Sequence, residues 1–193
     1  NASVTGGGII DGSGDAWWYA FGPAQQRSDL ASPTWVTNLI IKGVTLRRSP
    51  NWTLHPLLCT GVLVDGIFID AGIWRDDADY QGHNVDGVDP ESSSHVIVQN
   101  SVIHSGDDCI AVYSMAPQAG TRDVLVRNVS CITPLSVTHG TNTSGVTFQD
   151  CHVNGTWGGP VLYRPRWYHT AMRIKTQPGN YSVSNVHYSN ISM

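Results

Sequence analysis

Six short stretches of the chain share one pattern of apolar and polar positions. They are residues 38–46 (NLIIKGVTL), 61–69 (GVLVDGIFI), 95–103 (HVIVQNSVI), 123–131 (DVLVRNVSC), 145–153 (GVTFQDCHV) and 185–193 (NVHYSNISM). The second and fourth positions of each are apolar, and the ninth is apolar or Cys. The sixth is Gly43, Gly66, Asn100, Asn128, Asp150 or Asn190. Alternation over four residues predicts a strand with one buried face. Gly, Asn and Asp tolerate a left-handed backbone, so each unit is predicted to be strand, sharp bend, strand. Unit starts lie 23, 34, 28, 22 and 40 residues apart. The shortest spacings define a coil and the longer ones carry inserted loops, as in a solenoid. No helical period competes. An antiparallel sandwich also has many short strands, but it does not require the same bend residue in every unit. The predicted fold is all-β, a single-stranded right-handed parallel β-helix of about seven coils, about 35 Å long at ~4.8 Å per coil.

The gaps between units hold a further strand per coil: residues 84–91 (NVDGVDPE), 106–113 (GDDCIAVY), 134–141 (PLSVTHGT) and 171–176 (AMRIKT), centred on Val88, Ile110, Val137 and Ile174. Asp86 and Asp108 are 22 residues apart and both lie two before their central residue. They are therefore expected one above the other on neighbouring coils, with Asp107 beside them. Arg173 and Lys175 flank Ile174 two coils further on. A bend or bulge after Gly106 is expected to turn both Asp107 and Asp108 outward. Crowded carboxylates repel, and one of them has its pKa raised. One protonated acid beside one ionised acid suits general acid–base hydrolysis.

Composition narrows the setting. Only 13% of residues are charged and Gly occurs 20 times, which fits a turn-rich all-β domain. Net charge is −4, so no attraction to nucleic acid or to an anionic membrane is expected. No apolar run is long enough to span a bilayer as a helix. Asn-x-Ser/Thr sequons at Asn1, Asn51, Asn128, Asn142, Asn154, Asn180 and Asn190 predict a secreted, extracellular glycoprotein. The four cysteines, Cys59, Cys109, Cys131 and Cys151, suit an oxidising compartment, and none forms the Cys-x-x-Cys pair of a zinc site.

The motifs NVDGVDP, GDDCIA and RIKT, in this order, resemble the Asn-Thr-Asp, Asp-Asp and Arg-Ile-Lys motifs of glycoside hydrolase family 28. This is the polygalacturonase family of right-handed β-helices. GGGIIDGSGDAWW (6–18) and SPNWTLHP (49–56) resemble its upstream segments. The resemblance implies that Asp107 is the general acid and that Asp86 and Asp108 activate the attacking water, inverting the anomeric centre. Arg173 and Lys175 would bind a uronate carboxylate of galacturonan, and Asn84 would orient Asp86. The alternative for the two bases is ion pairing with neighbouring acids. The family's disulfide matches Cys109 and Cys131, whereas Cys59 and Cys151 are open to pairing or to burial as free thiols. No metal or cofactor is implied, and a monomer is expected.

Two departures stand out. The family's Gly-His-Gly has no clear counterpart in CITPLSVTHGT, so His139 is either a substitute substrate-binding residue or a turn histidine. The family's catalytic domains are also longer, which predicts a single domain over 1–193 that is incomplete at both ends. Residues 154–170, rich in Trp, Tyr and Arg, are candidates for a cleft wall or for a sheet cover. The segment 75–83 has acids spaced as in a calcium loop, but Val88 stands where the bidentate Glu belongs. Two other functions are compatible with the pattern. One is a lyase holding Ca²⁺ through Asp86, Asp107 and Asp108; the other is a non-catalytic carbohydrate-binding or structural β-helix.

Overall fold

The structure, a computed structural model, describes residues 1–20, 27–71, 84–114, 119–140, 142–154, 171–176 and 182–193. Its main sheet stacks seven levels in chain order. These are β1 (Ala2–Thr5), β3 (Thr37–Lys42), β5 (Thr60–Asp65), β7 (Ser94–His104), β9 (Arg122–Cys131), β11 (Thr143–Val153) and β13 (Val183–Ser192). Each pairs in parallel with the next. Across the bend, β2 (Ile9–Asp11), β4 (Thr45–Arg47) and β6 (Phe68–Asp70) lead into the second half of β7. A third sheet consists of β8 (Ile110–Ser114), β10 (Leu135–Gly140) and β12 (Met172–Ile174). Isolated parallel bridges from Ala31 through Leu54 and Val88 to Ile110 extend it toward the N-terminus. Parallel pairing at every level excludes the sandwich. The chain is a right-handed parallel β-helix, the hand that parallel crossover connections adopt.

The repeat explains the core. Its second positions stack as Leu39, Val62, Val96, Val124, Val146 and Val186. The fourth positions stack as Ile41, Val64, Val98, Val126, Phe148 and Tyr188. These columns are buried through Phe148, where the ring lies flat on Tyr188 with centroids 4.8 Å apart. Every predicted bend residue has positive φ, from +50° at Asn128 and Asn190 to +66° at Gly43. Where the bend residue is Asn or Asp the strand runs through it; at Gly43 and Gly66 it breaks into two. Side-chain amides bridge adjacent levels: Asn128 Nδ2 donates to Asn100 Oδ1 (2.8 Å) and Asn190 Nδ2 to Asp150 Oδ1 (2.6 Å). A second left-handed column opens each unit at Asn38, Gly61, His95, Asp123, Gly145 and Asn185.

One expectation is corrected. The third sheet pairs Val88 with Ile110, then Ile110 with Leu135 and Leu135 with Met172. The predicted centres Val137 and Ile174 are thus two residues too far along. The slip preserves parity, because a strand's faces alternate with period two, so Arg173 and Lys175 keep their face. Segment 84–91 makes only two bridges per neighbour, at Val88 and Glu91, and not a continuous strand. Pro90, which has no N–H, lies between them.

A short helix, α1 (Asp15–Ala20), sends Trp18 inward, where its indole N–H meets the Ser49 and Pro50 carbonyls at 3.2 Å. Cys109 and Cys131 form a disulfide with Cα atoms 5.8 Å apart, while Cys59 and Cys151 are free and buried. No helix among the described residues is long and apolar enough to cross a membrane.

Candidate active site

The third sheet and the bridging segment before it build one cleft. Gly87 sets the spacing between their two coils. Its N–H donates to the Asp108 carbonyl at 3.0 Å, and a Cβ there would lie 2.3 Å from the Cys109 carbonyl oxygen. Only glycine permits that approach. With Val88 paired to Ile110, Asp86 lies beside Asp108, as the repeat predicts. The turn before β8 is tied down from both sides. Gly106 and Asp107 donate their N–H groups to the Val85 carbonyl (3.0 and 3.3 Å), and Ser105 Oγ lies 2.7 Å from Thr133 Oγ1.

The result is a cleft of about 140 Å³ lined by Asp86, Asp89, Asp107 and Asp108 together with Trp52, Asn84, Tyr113 and Lys175. One carboxylate oxygen from each of Asp86, Asp107 and Asp108 falls within 4.8 Å of the other two. Both bases close on Asp108. Lys175 Nζ donates to its Oδ2 at 2.8 Å, and Arg173 Nη1 lies 3.2 Å from its Oδ1. Both bases are therefore ion-paired with a neighbouring acid. Tyr188 supports this strand from behind, its hydroxyl donating to the Arg173 carbonyl at 3.3 Å.

The acids are not equivalent. Burial raises the Asp86 pKa well above the usual carboxylate range, and the charges of Asp107 and Asp108 add to it. Asp107 is raised by the same causes, burial first and then Asp108. Ionised carboxylates only accept hydrogen bonds, so the crowding favours protons held within the cluster.

Asn84 lines the cleft, but it contacts Asp107: the Asn84 backbone N–H donates to Asp107 Oδ2 at 3.3 Å. Its expected contact with Asp86 is not among the described hydrogen bonds. His139 lies in β10, and its side chain is outside the described residues, as are Asn180 and most of the loops 75–83 and 154–170. Among the sequons, Asn128 and Asn190 spend an amide hydrogen in the bend ladder, and Asn51 Nδ2 donates to Asp29 at 2.9 Å. Asn1, Asn142 and Asn154 are at exposed positions.

Sequence reasoning missed Asp89, Trp52 and Tyr113. Asp89 is 1% exposed, with no hydrogen-bond partner on either oxygen among the described residues. Burial and the neighbouring Asp86 push its pKa well up. The sequence offers only its spacing of three residues from Asp86, past Val88, and nothing that announces its burial.

The profile of Glycosyl hydrolases family 28 matches residues 1–193. The chain belongs to this family. It is 32% identical over 143 residues to a probable polygalacturonase of Vitis vinifera, covering 69% of this chain and 28% of that protein. It is 27% identical over 204 residues to a polygalacturonase of Persea americana, covering 100% of this chain and 40% of the relative. Among solved structures, the polygalacturonase from Erwinia carotovora ssp. carotovora superposes with a TM-score of 0.78 at 26% identity, over 99% of this chain and 50% of that one. The chain thus spans between about a quarter and a half of the length of these family 28 relatives.

Proposed function

We propose that the chain carries the hydrolytic centre of a secreted polygalacturonase. It would cleave α-1,4-galacturonosyl linkages of pectic galacturonan with inversion, acting as a monomer. Asp107 donates its proton to the glycosidic oxygen. Asp86 and Asp108 hold and deprotonate the attacking water. Arg173 and Lys175 receive the uronate carboxylate, a charge-assisted contact that a cationic pair provides. The observation that carries this reading is the meeting of three carboxylates and Lys175 from separate coils in one cleft, with Arg173 paired to Asp108.

The electrostatics support Asp107 as the acid, while the rise at Asp86 runs against a base role for that residue and leaves water activation chiefly to Asp108. A general acid must keep its proton near neutral pH, and burial together with Asp108 biases Asp107 that way. Separation alone points elsewhere, since inverting carboxyl pairs ordinarily lie ~6.5–9.5 Å apart and the closest oxygens here lie within 4.8 Å. Retention, however, needs one acid free to attack carbon. Asp108 has a cation against each oxygen, which makes it a poor nucleophile but leaves it able to orient water with Asp86.

The three-acid cluster has the donor set for a divalent cation, which favours Ca²⁺-dependent lyase chemistry as the second reading. The bases weigh against it, because both already occupy Asp108. A reducing-sugar assay on polygalacturonate separates the readings when run with Asp107→Asn and with a chelator. Hydrolysis predicts new reducing ends, indifference to chelator, and a loss of roughly 10²-fold or more on substitution. Unsaturated products lost with chelator would establish the lyase instead. Binding without cleavage would indicate a non-catalytic module.

A further inference from the structure

Next to the cleft lies a buried charge relay that the hydrolytic scheme does not use. His55 is 7% exposed. Its Nδ1 lies 2.8 Å from Asp29 Oδ2 and its Nε2 2.9 Å from Glu91 Oε2. An ionised carboxylate accepts only, so satisfying both requires a hydrogen on each ring nitrogen, which is the imidazolium. The three residues come from three successive levels of the bridging segments, with Leu54 paired between Ala31 and Val88, and Leu57 between Thr34 and Glu91. Asp29 is fixed on its other oxygen by Asn51 Nδ2 at 2.9 Å, and the Ser32 hydroxyl lies 3.3 Å from His55 Nδ1.

The ring of His55 bears on Trp52. The two meet edge to face, with centroids 4.7 Å apart and planes at 86°. On another side Tyr113 meets Trp52 at 5.6 Å and 62°. Trp52 and Tyr113 line the cleft with the catalytic acids, whereas His55 does not. An indole wall offers an apolar face to a sugar ring only at a fixed angle, and a cation within ~6 Å of an aromatic centroid holds the pair together.

We propose that His55 is a positioning residue for this cleft: clamped as a cation between Asp29 and Glu91, it sets the angle of Trp52, against which a uronate ring packs. The proposal rests on the reading of the cleft as a galacturonan site, and it adds a pH limit. Burial alone would lower the His55 pKa, but the bonds to Asp29 and Glu91 outweigh it and hold the value at about 9. A raised histidine stabilises the fold fully below its ordinary value of 6.5 and loses that contribution as pH rises through about 9. Neutral His55 keeps one N–H and can serve only one of the two carboxylates. The other then faces the ring unpaired, and the brace on Trp52 loosens. The groups facing His55 are Asp29, Ser32, Trp52 and Glu91, with Tyr113 beyond Trp52.

The test has a substrate-free arm and a binding arm. The full chain is labelled with fluorotryptophan and the Trp52 resonance is assigned by its loss in Trp52→Phe. That resonance should titrate with a midpoint near 9, shift to lower pH in Glu91→Gln, and become pH-independent in His55→Gln. A flat Trp52 resonance through the His55 titration in the wild-type chain would overturn the proposal without relying on any variant that might misfold. In an Asp107→Asn background, His55→Gln should weaken oligogalacturonide binding by about tenfold, with Trp52→Phe and the double variant no worse than the more severe single one. Additive losses would overturn the coupling. A chain that binds no galacturonan at all would overturn the reading of the cleft, while the fluorine titration still decides whether His55 governs Trp52.

Discussion

Asp86 and Asp107 are set apart from ordinary carboxylates by burial more than by their identity. A carboxylate whose pKa is raised in the fold binds protons more readily there than in the unfolded chain. Its ionisation therefore destabilises the fold as pH rises from the ordinary value of 3.8 through the raised one. Asp86→Asn is accordingly expected to raise the melting temperature at pH 7, with the gain shrinking to nothing as the pH falls below ~4. Thermal melts of both proteins across that range measure it, and an equal or lower melting temperature at pH 7 would count against the electrostatic account. Asp86 and Asp108 were legible because identical spacing from Val88 and Ile110 puts them on one column. Asp89 was hidden because its burial depends on the neighbouring coil, which periodicity does not describe. The destination of Arg173 and Lys175 was half legible: their face follows from parity, whereas their convergence on Asp108 depends on side-chain geometry.

Strands and bends set the precision of that arrangement. Left-handed residues such as Asn100 and Asn128 were legible at the sixth position of each unit. The opening column went unread, although Asn38, Gly61, His95, Asp123, Gly145 and Asn185 are all of types enriched at positive φ. The third sheet was misregistered by two residues because its strands follow connections of unequal length, so no fixed spacing places Leu135 and Met172 opposite Ile110. Gly87 is the tight joint that the cleft depends on. Gly87→Ala is expected to cost about 1–3 kcal/mol or more through the clash with Cys109, measurable by urea unfolding, and to lower activity by separating Asp86 from Asp108. An unchanged midpoint would show that the coils tolerate a wider spacing. The Cys109–Cys131 bridge closes a separation of 22 residues. Its reduction is expected to lower stability by about 3 kcal/mol, read as the difference between oxidised and reduced unfolding curves.

At the scale of the molecule, the β-helix makes a surface out of residues distant in sequence. Lys175 reaches Asp108 across 67 positions, yet only two coils separate them. The same stacking brings His55 between Asp29 and Glu91, a relation that no local motif announces. The stacking of the coils followed from the spacing of six short units, because each coil has only one place to pair, and the hand follows from the rule for parallel crossovers. The loops inserted between units follow no such rule, and the aromatic-rich stretch 154–170 is the clearest case. The central claim is that Asp108 orients water and does not attack carbon. Proton NMR of the first products from an α-linked oligogalacturonide tests it most directly: the account predicts that the β-anomer of the new reducing end appears first and then mutarotates, and first appearance of the α-anomer would contradict it.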